Sequence, residues 1–230
     1  MCRVEVDASQ SYLNVLVNLL DDDPYNVHVD DFLDVVDMHL QLFGQGRESL
    51  ELMLRDGGSA WTVAKEPLRL ERRVPDEEHQ LYVAATTPGD EASTELQEAW
   101  GKVYGRDPSP SYAWTHAIKA VEILLHPIVS PTNDKATLGS MLAALEAKPA
   151  KWTLTLATSS KTVGPVEALT AMLRLIWPNP DRHGSGSGSS RAPTQEEAEQ
   201  VVRLAVFVVG WLRTGALQAV APAAGATGSP

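Results

Sequence analysis

Within 230 residues, one six-residue run, Asn179-Pro-Asp-Arg182-His183-Gly184, crowds several chemically able side chains together. A histidine exchanges protons near neutral pH and can serve as general acid or base. The Asn179 amide can hydrogen-bond a phosphate or a ribose, the Arg182 guanidinium can pair with a phosphate, and Gly184 admits close approach of a bulky ligand. A polar turn between two helices has the same composition, so spacing alone leaves both readings open.

The elements that must hold this run are two helices. Pro165 sits where a first-turn proline belongs and opens a helix through Trp177 with Val166, Leu169, Leu173 and Ile176 as its core face. After Pro178 and the polar run comes Gly184 to Ser190, a glycine-serine loop. Thr194 and Glu197 then form a capping box that starts a last helix running to Thr214. Its stretch Leu204–Leu212 is too short for the ~20 apolar residues of a membrane span, so it reads as a core helix. A helix apolar on nearly every side needs partners on every side, which points to a homodimer.

Upstream, the pattern is also helical. Helices are expected at Ser9–Leu20, Asp30–Phe43 and Arg47–Leu54, followed by a hairpin of Trp61-Thr62-Val63 and Leu68-Arg69-Leu70 around Glu66-Pro67. One or two helices follow Pro75, interrupted at Pro88-Gly89 and ending near Tyr104. The Pro/Ser segment Arg106–Pro110 marks the best boundary. From Tyr112 a helix runs to His126, with Pro127 expected to end it. Its stripes Ala113, Ala117, Ala120, Leu124 and Trp114, Ile118, Val121, Leu125 make a wide apolar face, and Thr115, Lys119, Glu122 and His126 a polar one. Thr137 caps a helix to Lys148, and 151–158 is extended or irregular. Residues 216–230 read as a disordered Ala/Gly/Pro tail.

Charge narrows the ligand. The net −11 is distributed as −8 over residues 1–50, −5 over 51–150 and +2 over 151–230. An anionic ligand should therefore meet the C-terminal third. The balance argues against a non-specific nucleic-acid coat, and nothing signals DNA. The single cysteine, Cys2, rules out an intrachain disulfide framework, and the acidic N-terminus lacks a signal-peptide pattern, so a cytoplasmic protein is expected. The acids and histidines of the helix from Asp30 (His28, Asp30, Asp31, Asp34, Asp37, His39) read as a solvated face rather than a metal site, and no metal or cofactor motif is present. The six tryptophans read as core and interface residues more readily than as a base-stacking platform.

Residues 107–215 resemble the C-terminal domain of abortive-infection proteins, a branch of the HEPN superfamily of helical domains. The resemblance is carried by Ala113–Glu122 (AWTHAIKAVE), Lys135–Leu145 (KATLGSMLAAL) and Pro178–Gly184 (PNPDRHG), followed by a long apolar helix with Arg203. It implies a helical bundle, two protomers sharing a composite site, and metal-independent ribonuclease chemistry. Asn179 would match the family's polar residue, His183 its histidine, and Glu122 its acidic residue on an earlier helix. Pro178 occupies the position of the family's arginine, for which Arg174 or Arg182 would have to substitute. Two readings follow: an RNA-cleaving defence enzyme, or a non-catalytic helical module that binds RNA, a nucleotide or a protein. The expected architecture is mainly α: an acidic N-terminal helical region with a small hairpin (1–106), the HEPN-like bundle (107–215), and the tail. Arg182, Arg174 and Arg203 are the candidate RNA-binding cations.

Overall fold

A computed structural model of the chain describes residues 29–177 and 191–220. The protein is mainly α-helical with a small antiparallel hairpin. The helix expected at Ser9–Leu20 lies outside the described residues. Two compact units are present, one of residues up to Pro75 with Trp100–Ser109, the other of Asp76–Ala99 with Pro110 onward. One division falls at Ser109–Pro110, inside the Pro/Ser segment. Those at Pro75 and Ala99 have clear structural but little compositional expression, and the second cuts through a continuous helix.

In the first unit, α1 (Val29–Phe43) and α2 (Arg47–Asp56) precede β1 (Trp61–Lys65) and β2 (Leu68–Arg72). The strands pair from Trp61↔Arg72 to Lys65↔Leu68, each two residues longer than the apolar alternation suggested. The outer edge of β2 would be an open row of backbone donors and acceptors. A side chain and a backbone bridge cover it. Asp37 of α1 accepts the Leu70 N–H at 2.5 Å and the Gln41 amide at 2.8 Å. Glu71 forms a backbone bridge with Gly105.

These contacts correct the reading of α1 as carrying a solvated acidic face. Asp37 is buried, and Asp34 takes the Arg106 guanidinium at 2.8 Å, which also reaches Asp30 at 3.2 Å. Arg106 in turn lies 4.7 Å over the Trp61 ring, in cation–π range. The carboxylates hold the unit together because each buried charge needs a charged or hydrogen-bonding partner. Glu71 is likewise buried, taking Arg69 Nε at 2.7 Å and the Trp100 indole N–H at 2.9 Å.

In the second unit, α3 (Asp76–Thr86) and the first nine residues of α4 (Glu91–Tyr104) join α5 (Pro110–Val129), α6 (Leu138–Ala147), α7 (Pro165–Ile176) and α8 (Gln195–Arg213). α5 and α3 pack on α8, α6 packs on α5 and α7, and α7 also reaches α8. Both apolar stripes of α5 are used: Ala113, Ala117, Ala120 and Trp114, Ile118, Val121, Leu125 are all buried. Pro127 does not end α5. It sits in the last turn, and the ladder resumes after it with Ser130 N–H on the His126 carbonyl at 2.9 Å. So near a helix end, a missing proline N–H costs one bond rather than the helix.

Three-residue strands β3 (Trp152–Leu154) and β4 (Leu217–Ala219) pair antiparallel, Leu154 opposite Leu217. The start of the segment read as tail is thus structured. Leu217 is buried, and one apolar side chain among small residues was too weak a compositional mark to reveal it. Among the described residues, no helix is long and apolar enough to cross a membrane.

Two substitutions test the first unit. A Cβ at Gly101 would stand 2.1 Å from Arg69 Nη1. Alanine is the better helix former by about 1 kcal/mol, yet Gly101→Ala is expected to destabilise by about 2 kcal/mol in urea unfolding, because it pushes Arg69 off the buried Glu71. For Asp37, burial pushes the carboxyl above its ordinary range, against hydrogen bonds from Leu70 and Gln41 and the charges of Arg69 and Arg106. Stability from a raised acid is complete below its unfolded value of 3.8 and declines as pH rises through the folded value. Asp37→Asn, which keeps an acceptor for Leu70, is therefore expected to raise the melting midpoint at pH 7, with the gain shrinking below pH ~4. Asp37→Ala, which leaves that N–H unpaired, lowers it at both pH values.

Candidate functional site

The polar run Asn179–Gly184 falls outside the described residues, with Asn179, Arg182 and His183 among them. Both ends of the connection that contains it are described, and both are pinned. At the α7 end, the Trp114 indole N–H of α5 donates to the Ile176 carbonyl at 2.6 Å. Trp177 lies across the start of α6, where Gly139 makes room: a Cβ there would be 2.8 Å from the indole ring. At the α8 end, Thr194 and Glu197 form the expected capping box, Thr194 Oγ1 accepting the Glu197 N–H and Glu197 accepting the Thr194 N–H. Arg191 pairs with both oxygens of Glu197. That guanidinium, followed by the Thr194 N–H, holds the Glu197 carboxyl at about 2.

The other three candidates are engaged inside the second unit. Glu122 on α5 accepts the Leu138 N–H at 2.6 Å. Leu138 is the first residue of α6, so the carboxylate satisfies a donor that no helical carbonyl can reach and places a negative charge at the positive end of the helix. The Thr137–Ser140 box caps the same turn. The role observed for Glu122 is therefore to cap α6, not to lie on a solvated face of α5. Its polar-stripe neighbour His126 hydrogen-bonds the Asn133 carbonyl at 2.9 Å in the α5–α6 connection.

Arg174 on α7 forms a two-pronged pair with Glu146 of α6, at 2.9 and 2.6 Å, and both side chains are more than two-fifths exposed. An exposed pair of this kind contributes at most about 1 kcal/mol, so Arg174 can exchange its carboxylate for another anion. Arg203 on α8 contacts Glu78 of α3 at 2.6 Å in a more buried setting.

A further cluster had no signature in the sequence. His116 Nδ1 of α5 lies 2.6 Å from Glu95 of α4, and Lys119 stands 3.6 Å from the other carboxylate oxygen. A carboxylate on Nδ1 orients the imidazole and leaves Nε2 as the atom available to outside partners. Twenty-one residues separate Glu95 from His116, on different helices, so only the packing of α4 on α5 brings them together. Spacing along one helix does predict His116 and Lys119 as neighbours, and a carboxylate partner facing them was the missing piece. Among the described residues, no three histidine, cysteine or acidic side chains converge as a metal site.

No family model matches the chain, and no curated protein or solved structure shows significant similarity to it.

The Glu122 geometry separates a capping from a catalytic carboxylate. Glu122→Ala is expected to lower stability by about 1 kcal/mol, the ordinary worth of a helix cap, as read by thermal unfolding. Glu122→Gln retains the accepting oxygen and should lose less than half of that. Equal losses from both would show that the charge, rather than the acceptor, holds α6.

Proposed function

We propose that the chain is an RNA-acting helical domain of the abortive-infection, HEPN-like kind, with the α7–α8 connection as its RNA site. The supporting observation is the anchoring of that connection: Trp177 is seated on Gly139, and Thr194, Glu197 and Arg191 are locked together at its other end. A polar run carried between two such anchors can present a histidine and an amide reproducibly to a ligand. The net positive charge of residues 151–230 in an otherwise acidic chain favours an anionic partner.

In the cleaving form of this reading, a ribose 2′-hydroxyl attacks the adjacent phosphate and a P–O5′ bond breaks. His183 takes or returns the proton, Asn179 orients the phosphate, and a guanidinium offsets the charge that develops on its oxygens. Arg182 is the nearest in sequence. Arg174 is next, since its partner Glu146 is exposed and exchangeable. Arg203, held more deeply by Glu78, is the weakest of the three.

The second reading is a non-catalytic module that binds RNA or a nucleotide through the same connection. Two observations favour it. Pro178 cannot supply the charge of the family's arginine, and Glu122 is engaged at the first turn of α6 through the Leu138 N–H.

Purified protein incubated in EDTA with total tRNA and a structured mRNA separates the two readings. Metal-independent cleavage that Asn179→Ala weakens by about 10-fold or more, and that His183→Ala abolishes, is the expected result for the enzyme. Retarded migration of intact RNA, weakened by Arg182→Ala, is the result for the binding module. Neither cleavage nor retardation from a folded preparation overturns the RNA reading.

A further inference from the structure

The imidazole of His116 is held in a geometry that the RNA reading does not use. Its Nδ1 stands 2.6 Å from Glu95 Oε2 on α4, and the Lys119 ammonium stands 3.6 Å from Glu95 Oε1. All three residues belong to the second unit. With a carboxylate on Nδ1, the proton of the neutral ring sits there and the lone pair sits on Nε2. His126, later on the same helix, is the contrast, because its Nε2 is taken up by the Asn133 carbonyl at 2.9 Å.

Solvent reaches this ring. The side chains of His116 and Glu95 are each 21% exposed. Tyr112, one turn earlier, is 63% exposed, and the Lys119 side chain, one turn later, is 44% exposed. Positions 112, 116 and 119 share one side of α5. A nucleophilic nitrogen therefore lies on an open helix face with a cation one turn away.

The donors of a metal centre are missing, since among the described residues no three histidine, cysteine or acidic side chains converge. What is present suits the covalent transfer of an anionic group. Nε2 supplies a lone pair, and Glu95 balances the positive charge that the ring gains as a bond forms. Lys119 supplies a cation for the oxygens of the incoming group.

We propose that His116 Nε2 accepts a phosphoryl group from an activated donor of the acyl-phosphate or phosphoramidate class, with Glu95 as its positioning residue and Lys119 contacting the phosphoryl oxygens. The Nε2 lone pair forms the N–P bond while the P–O or P–N bond of the donor breaks, its electron pair leaving with the oxygen or nitrogen. A departing carboxylate needs no proton, and a departing amine takes one from water. The Nδ1 proton stays on the ring, hydrogen-bonded to Glu95, and nothing is oxidised or reduced.

The 3.6 Å contact of Lys119 is loose, and its flexible stem lets the ammonium turn to the phosphoryl group. Glu91 and Glu98, one turn to either side of Glu95, are exposed acids that repel a phosphoryl dianion. They favour passing the group on over keeping it, which is the behaviour of a relay. The inference stands without the RNA reading and would survive its failure.

The full chain is to be incubated with phosphoramidate, the site followed by peptide mass spectrometry and the ring nitrogen by phosphorus NMR. His116 is expected to be modified at Nε2, about 10-fold or more faster than His126, with the preference lost in urea. Glu95→Gln keeps an acceptor for the Nδ1 proton but removes the charge, and Lys119→Ala removes the cation. Each should slow His116 by about 10-fold with an unchanged far-ultraviolet circular dichroism spectrum, and Lys119→Arg should restore the rate. A His116 that reacts no faster than His126, or a product on Nδ1, overturns the proposal. If Glu95 and Lys119 only tie α4 to α5, the substitutions lower the melting midpoint and leave the relative rate of His116 unchanged, which overturns it as well.

Discussion

Helix α8 cannot exist uncovered. Ala198, Val201, Val202, Ala205, Val206, Val208, Val209 and Leu212 are all buried, and a valine left in water forfeits roughly 1.5–3 kcal/mol relative to one buried. The rest of the second unit is arranged around that requirement. α5 packs against α8, with Ala113, Ala117, Ala120, Ile118 and Val121 all buried. α3 is set along another side by Arg203 and Arg213, the two cations at either end of the apolar run, each taken by an acid from the α3 region. α7 closes a further side, and β4 continues directly from α8 back to β3. What this cover leaves open includes Phe207, the exposed large apolar side chain of the helix.

Much of this was written in local patterns. The Thr194–Glu197 and Thr137 caps, Pro165 at the head of α7 and the two stripes of α5 each depend on residues within one turn of one another, where side-chain chemistry acts directly on the backbone. The hairpin was legible for the same reason, through the alternation around Glu66-Pro67. What was not legible rests on contacts between distant residues. Asp37 reads as a surface acid until β2 supplies the Leu70 N–H, thirty-three residues away. Glu71 reads as strand polarity until Arg69 and Trp100 enclose it. Glu95 and His116 meet only because α4 and α5 pack. At Pro127 the local rule itself was over-applied, since a proline in the last turn removes one hydrogen bond and α5 tolerates it.

The polar side chains show how a sequence overstates function. Glu122, Arg174 and Arg203 carry the right chemistry for RNA, yet each has a partner within the bundle: a backbone N–H, Glu146 and Glu78. Such commitments differ in strength. The α6 cap and the Arg203 pair are partly shielded from water, where a charge that loses its partner keeps a desolvation cost. The Arg174 pair is solvated on both sides and is close to balanced against hydration. Only an arginine of the second kind can be recruited by a ligand without weakening the fold, which ranks Arg174 above Arg203 by availability.

The same distinction bears on the two ends of the connection between α7 and α8. A side chain that caps a helix or neutralises a buried partner cannot also move a proton or follow a phosphate, because leaving its post costs stability that a marginally stable domain lacks. Functional groups therefore belong where the backbone is held and the side chains are not yet committed. Trp114, Gly139 and Trp177 hold one end of the connection, and Arg191, Thr194 and Glu197 hold the other. These residues spend their own hydrogen bonds and packing on the anchorage. Anchors of this type tie both ends of a connection to the rigid bundle, and the seating of Trp177 on Gly139 is one half of that tie.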